Sequence, residues 1–181
     1  METIACIKER RSIRTFQEKT IPNAALEELV EAARFAPSWK NTQIVRYVFL
    51  KNRKQMEEIA DHCVLEFASN QRIIRGAAVL AVICYVEKRS GFERDGSFST
   101  AKGDRWEMFD AGIAAQTFCL AAADRGIGTV MMGIFDEAKV AEAISLPEGQ
   151  KVAALVAMGY PAAAPAAPKR KETAELMDIR E

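Results

Sequence analysis

The longest apolar run in the chain, AAVLAVICYV at residues 77–86, sets the first constraint on the fold. It is far shorter than the roughly 20 residues a helix needs to cross a bilayer. A run so short, bounded by polar residues and rich in Val and Ile, reads as a strand buried on both faces. Helical patterns alternate with further apolar strands on either side of it, so the class is α/β or α+β, with helix dominating by length. The 181 residues fit one domain with a full core.

Short helical spacing over 2–10 is followed by an extended segment at 12–17. Leu26, Leu29, Val30 and Ala33 recur at three- and four-residue steps, giving an amphipathic helix from Ala24. That helix should stop near Ala36, because Pro37 disfavours helical backbone before it. RYVFLK at 46–51 reads as a strand, and 53–75 as helix in two pieces. Residues 87–103, polar with three glycines, read as a mobile loop. Residues 104–124 read as a long, alanine-rich helix that lies deep in the core or at a subunit contact. Gly126 should end it, and strands follow at 129–132 and 152–158 with a helix at 136–144 between them. Asp136 is the expected N-cap of that helix. PAAAPAAP at 161–168 should be an extended, semi-rigid spacer, with Lys169, Arg170 and Lys171 behind it.

Lys plus Arg and Asp plus Glu are 25 each, so any basic site must be local. Zero net charge argues against nucleic acid or a membrane surface as the partner. Cys6, Cys63, Cys84 and Cys119 never fall at C-x-x-C spacing, which signals neither zinc nor an iron–sulfur cluster. Reduced thiols and a cytoplasmic protein are the expectation. The first residues mix charges and lack an apolar h-region, so no signal peptide is expected.

Three stretches carry chemistry. Arg10, Arg11, Ser12 and Arg14 place three guanidiniums and a hydroxyl within five residues. Arg grips phosphate in a planar, bidentate way, and Ser can donate to the same oxygens. Whether the segment is helical or extended, several of these donors share a face. The second cationic group, at 169–171, sits at the end of a spacer suited to delivering it. The third stretch, APSWKNTQ at 36–43, offers uncharged donors and acceptors suited to the edge of a polar heterocycle. The bland readings are a solvated basic surface, a solvated tail and an ordinary turn. The single histidine, His62, falls outside these stretches and reads as structural or exposed.

Together the pieces resemble the nitroreductase family of flavin enzymes. The matching segments are ERRSIRTF at 9–16, AARFAPSWKNTQ at 32–43, DAGIAAQTFCLAAADRGIGTVMMGIFD at 110–136, and ALVAMGYP with PKRKE toward the end. They occur in the family's order and span nearly the whole chain. The resemblance implies an α+β sandwich, with a mostly antiparallel central sheet flanked by helices, as a single domain over 1–181. It implies an intertwined homodimer with FMN at the subunit interface, in which the segment 161–181 crosses to the partner.

By the same resemblance Arg10 and Ser12 hold the FMN phosphate, Arg11 the ribityl side, and Lys169 and Arg170 join the phosphate. Arg14 lies near the N1/C2 carbonyl edge of the ring. Pro37, Ser38 and Asn41 reach the flavin from the other subunit, and Asn70 and Arg72 are polar ring contacts. Met131, Met132 and Gly133 run beside the ring, with a backbone N–H near Gly133 facing N5. The implied activity is ping-pong transfer of hydride from NADH or NADPH to nitroaromatics, quinones or similar electron-poor small molecules. A specialised flavoenzyme of the same fold, or a flavin-binding redox sensor with little turnover, is the alternative. The chain is short for the family and lacks room for a large helical insert over the flavin, so the 87–103 loop is a candidate lid. Phe92, Phe98 and Trp106 would line it, or simply anchor it. The glycines at 126–133 are followed by strand residues and form no dinucleotide fingerprint.

Overall fold

The structure, a computed structural model, describes residues 2–181. In chain order its elements are α1 (Thr3–Glu9), α2 (Asn23–Ala33), β1 (Val45–Leu50), α3 (Arg53–His62) and α4 (Ala68–Gly76). After these come β2 (Val79–Val86), α5 (Arg105–Asp124), β3 (Gly128–Met132), α6 (Glu137–Ala143) and β4 (Gln150–Gly159). The four strands make one antiparallel sheet in the order β1-β2-β4-β3. The architecture is α+β.

β2 is central, and its side chains divide by the period of two. Leu80, Val82 and Cys84 face a core built with Met56 and Ile59 of α3, Ile73 and Ile74 of α4, and Val140 of α6. Val79, Ala81 and Ile83 face the other core, with Leu26 and Leu29 of α2 and Phe118 of α5. Helices therefore cover both faces of the sheet, which is why this strand carries no polar alternation. Its two partners are antiparallel, so burial on both faces here does not come from parallel crossovers.

Local signals explain most boundaries. Asn52 caps α3, its Oδ1 accepting from the Lys54 N–H at 2.9 Å, and Asp136 caps α6 by accepting from the Lys139 N–H at 3.1 Å. Past α5, Gly126 adopts φ +69°, the Ile127 N–H returns to the Ala122 carbonyl, and the Gly126 N–H returns to that of Ala123. These are the two bonds of a Schellman stop. α2 ends three residues before the expected Ala36. Phe35 and Ala36 donate instead to Ala32 and Ala33, a tightening of the last turn ahead of Pro37.

The segment 12–17 is extended and attached to the sheet's outer edge. Ser12 bridges Thr129 in parallel, the Ile13 N–H donates to the Thr129 carbonyl at 2.9 Å, and the Gln17 N–H donates to Tyr160 at 2.8 Å. Gly128 and Gly159, direct partners across β3 and β4, leave a trough that Ile13 and Phe16 fill. A Cβ on either glycine would stand 2.7 Å from the side chain lying over it.

The 87–103 loop is tightly organised. Phe92 and Phe98 bridge, Ser90 is fully buried, and Gly91 packs so closely under Trp106 and the Gly103 carbonyl that no side chain fits there. Among the described residues no helix is long and apolar enough to cross a membrane.

Candidate functional site

The docking of Ile13 and Phe16 decides where the arginines go. Ile13 is buried under the sheet edge, so its neighbours Ser12 and Arg14 project outward, with Arg10 and Arg11 just before them. Arg10, Arg11, Ser12 and Arg14 line a cleft of about 240 Å³ whose other wall is Pro165, Ala166, Pro168 and Arg170. The two cationic stretches, from opposite ends of the chain, thus meet. The proline spacer holds Arg170 there by stiffness rather than by burial, for residues 162–181 are all exposed.

Within the cleft Arg11 donates to the Lys8 and Arg10 carbonyls, closing the C-terminus of α1. Arg14 donates to the Ser12 carbonyl at 3.3 Å. The Arg10 guanidinium has no ion-pair or hydrogen-bond partner among the described residues. It acts electrostatically on Cys119, whose thiol burial pushes up, against smaller opposing pulls from Thr129 and from Arg10 itself. Lys169 is exposed and does not line the cleft. An unneutralised group of guanidiniums with a hydroxyl suits a dianion such as a phosphate monoester.

Next to β3 the structure gathers a second set. Met131 is exposed, Met132 is buried, and Gly133 is exposed with nothing within 4 Å of where a Cβ would stand. Open backbone of this kind admits a flat group against it. Asn70 on α4 is buried and its Nδ2 donates to the Ile134 carbonyl at 3.0 Å, fixing the exit of β3. Arg72, on the same helix, is exposed.

Pro37 and Ser38 lie elsewhere in this chain, lining a cavity of about 280 Å³ with Arg34, Gln43, Arg46, Tyr47 and Asp110. Asn41 is exposed on the same loop. The loop is strained, with Lys40, Asn41 and Gln43 at φ of 43°, 56° and 49°. Non-glycine residues hold such backbone only where the surroundings impose it. The imposing group is Asp110 of α5, 2 % exposed, which accepts from the Trp39 N–H at 3.1 and 3.0 Å and from Ser90 Oγ at 2.5 Å. Ser90 has one proton and gives it to the carboxylate, so Thr42 must donate across the 2.7 Å contact to Ser90. Ser38 Oγ accepts from the Gln43 N–H at 3.0 Å and closes the loop. Sequence reasoning did not single out Asp110 or Ser90. An acid among alanines on a core helix is the signal that could have found the first, since such a group needs donors.

His62 is exposed at the end of α3. No cluster of His, Cys, Asp and Glu that could hold a metal exists among the described residues.

Comparison with known proteins bears on the family and the fold. The model of the family described as "Nitroreductase family" matches residues 7–160. A protein of Methanothermobacter thermautotrophicus named as an NADH dehydrogenase/NAD(P)H nitroreductase is 28% identical over 172 residues, covering 91% of this chain and 80% of its own. The solved NADPH:FMN oxidoreductase of Vibrio harveyi, complexed with NAD+, superposes with a TM-score of 0.81 at 26% identity, over 99% of this chain and 77% of that one. A nitroreductase family protein of Streptococcus pneumoniae shares the fold with a TM-score of 0.86 at 20% identity, over 99% and 100%. With the match running from α1 to the end of β4, this chain belongs to the nitroreductase family.

Proposed function

We propose that the protein is an FMN-dependent NAD(P)H oxidoreductase, acting on nitroaromatics, quinones or similar electron-poor acceptors. The observation that carries this reading is the convergence of Arg10, Arg11, Ser12 and Arg14 with Arg170 around one cleft. The donor set fits FMN: several cations for a phosphate close to two negative charges, and open backbone at Gly133 for a planar ring. When bound, FMN supplies hydride acceptance and donation at its N5. Arg10, Ser12 and Arg170 hold the phosphate, with Lys169 joining from the solvent side. Arg11 faces the ribityl chain. Arg14, at the N1/C2 edge, favours negative charge there and so raises the reduction potential. The Gly133 N–H orients N5. Asn70 and Arg72 contact the ring edge, beside Met131 and Met132.

Pro37, Ser38 and Asn41 line another part of this chain, so their place is on the flavin of a second copy. Exposed apolar side chains support a homodimer: Phe35 at 74%, Ile4 at 62% and Phe109 at 55%, with Leu176, Met177 and Ile179 on the tail. Pro165, Ala166, Pro168 and Arg170 lie against the N-terminal cluster of this chain, and within 161–181 the exposed tail beyond Arg170 is the part that crosses to the partner. Reductant and acceptor then use one space in turn, giving ping-pong kinetics. All four cysteines are free and buried, which supports a cytoplasmic setting.

An absorbance spectrum of the purified protein, followed by anaerobic NADH and NADPH titration, tests the function. A flavin spectrum bleached by one or both is the expected result. Protein that stays colourless after incubation with excess FMN contradicts it.

A further inference from the structure

The 87–103 loop, the first turns of α5 and Trp39 bring together a set of rings with a cation laid across them. Trp39 and Trp106 meet at 4.6 Å between centroids, and Trp106 meets Phe109 edge-on at 5.4 Å. Phe92 and Phe98, on the 87–103 loop, pair with each other at 4.9 Å. Trp106 is fixed on two sides, its indole N–H donating to Thr100 Oγ1 at 2.9 Å and Gly91 packing beneath it. Phe98 and Phe109 are 59% and 55% exposed and present aromatic surface to solvent.

Lys102 Nζ lies 4.5 Å from the Trp106 centroid and 5.9 Å from that of Phe109. It has no carboxylate partner among the described residues. Asp104, two residues along the chain, is exposed and makes no ion pair with Lys102, and the other nearby acids are engaged elsewhere. Glu93 pairs with Lys40 at 2.8 Å and accepts from Ser99, Asp95 accepts from Ser97, and Glu107 is buried beneath the Arg89 N–H. An ammonium resting on rings alone retains most of its charge for an incoming anion. A planar aromatic body stacks on the rings, and a carboxylate on it meets the ammonium.

We propose that Lys102, on the Trp106–Phe109 platform, makes the enzyme prefer aromatic acceptors that bear an anionic substituent. This rests on the reading that the 37–43 loop reaches a flavin. Trp39 belongs to that loop, so the platform in contact with it flanks the same ring.

The test compares 4-nitrobenzoate with 4-nitrobenzamide, alike in shape and different in charge, in the parent, Lys102→Met and Lys102→Glu. Calorimetry with non-reducible benzoate and benzamide gives a readout independent of turnover. The parent should favour the carboxylate in kcat/KM and in affinity. Lys102→Met should cut that preference by about fivefold, the upper range for a solvent-exposed ion pair. Lys102→Glu should reverse it, and raising salt should erode it in the parent. Full FMN uptake with no charge preference, or with a preference the variants leave intact, overturns the assignment and leaves the flavin reading standing. A change confined to the KM for NAD(P)H, or to dimer mass, also overturns it, for the lysine would then serve the dinucleotide or the interface. Failure to take up FMN overturns the flavin reading instead, and the benzoate calorimetry still decides what Lys102 does.

Discussion

Gly128 shows how much of the site rests on the absence of a side chain. Its missing Cβ lets Ile13 lie against the sheet edge, and that contact aims Ser12 and Arg14 outward. Gly128→Ala should cost about 1–3 kcal/mol by overpacking, and it should loosen FMN as well as the fold. Denaturant midpoints together with FMN titration check this; lost stability with unchanged FMN affinity would separate the trough from the site. Glu107 makes a prediction about pH. Burial raises its carboxyl above the ordinary range, against smaller pulls from the Arg89 and Lys88 N–H groups. The folded chain therefore holds this proton where the unfolded chain has released it. Stability should fall as pH rises out of the ordinary carboxylate range toward the raised value. Glu107→Gln should remove that fall, as thermal melts across pH 4–8 (roughly the window bounded by carboxylate and histidine titration) would show. The arginine group was legible in the sequence because residues close in the chain stay close in space. The trough was not, for Gly128 and Gly159 acquire meaning only when paired across two strands and covered by a third segment.

Among the elements, the helices and strands followed from period and caps. β2 announced its double burial, and Gly126 announced the end of α5. The two loops did not announce theirs. The 87–103 segment reads as mobile from its glycines and polar residues, yet Gly91 is there for close packing and Ser90 for a buried hydrogen bond. The reason is long range: Asp110 organises both loops at once, and its partners lie 20 and 71 residues away. Asp110→Asn keeps the shape but turns an amide NH2 toward donors. It should cost about 1–3 kcal/mol and speed amide exchange at Trp39. Exchange as slow as in the parent would mean that other contacts hold the loop. The tail gives the second test at this scale. Removing residues 169–181 takes away Lys169, Arg170 and the exposed Leu176, Met177 and Ile179. FMN should then be lost on gel filtration, and the dimer should weaken in sedimentation. Retention of both would leave the spacer without a role.

For the molecule as a whole, the α+β class was legible, whereas the strand order β1-β2-β4-β3 was not. Pairing of β2 with β4 spans the length of α5 and α6, and no periodicity reports that. The two halves of the candidate site also stand apart in one chain, with the arginine cleft at the sheet edge and the 37–43 loop over α5. Two copies would unite them, so holoprotein should sediment at twice 20.0 kDa.

The central claim is that both ends of the chain grip one phosphate. The direct measurement is the dissociation constant for FMN and for riboflavin, which lacks the phosphate, in the parent, Arg10→Ala, Arg170→Ala and the double variant. The parent should bind FMN far more tightly than riboflavin. Each substitution should weaken FMN by about 1.5–3 kcal/mol and leave riboflavin little changed, with the two losses coupled in the double variant. Equal affinity for the two flavins, or variants that hold FMN as tightly as the parent, would contradict the account.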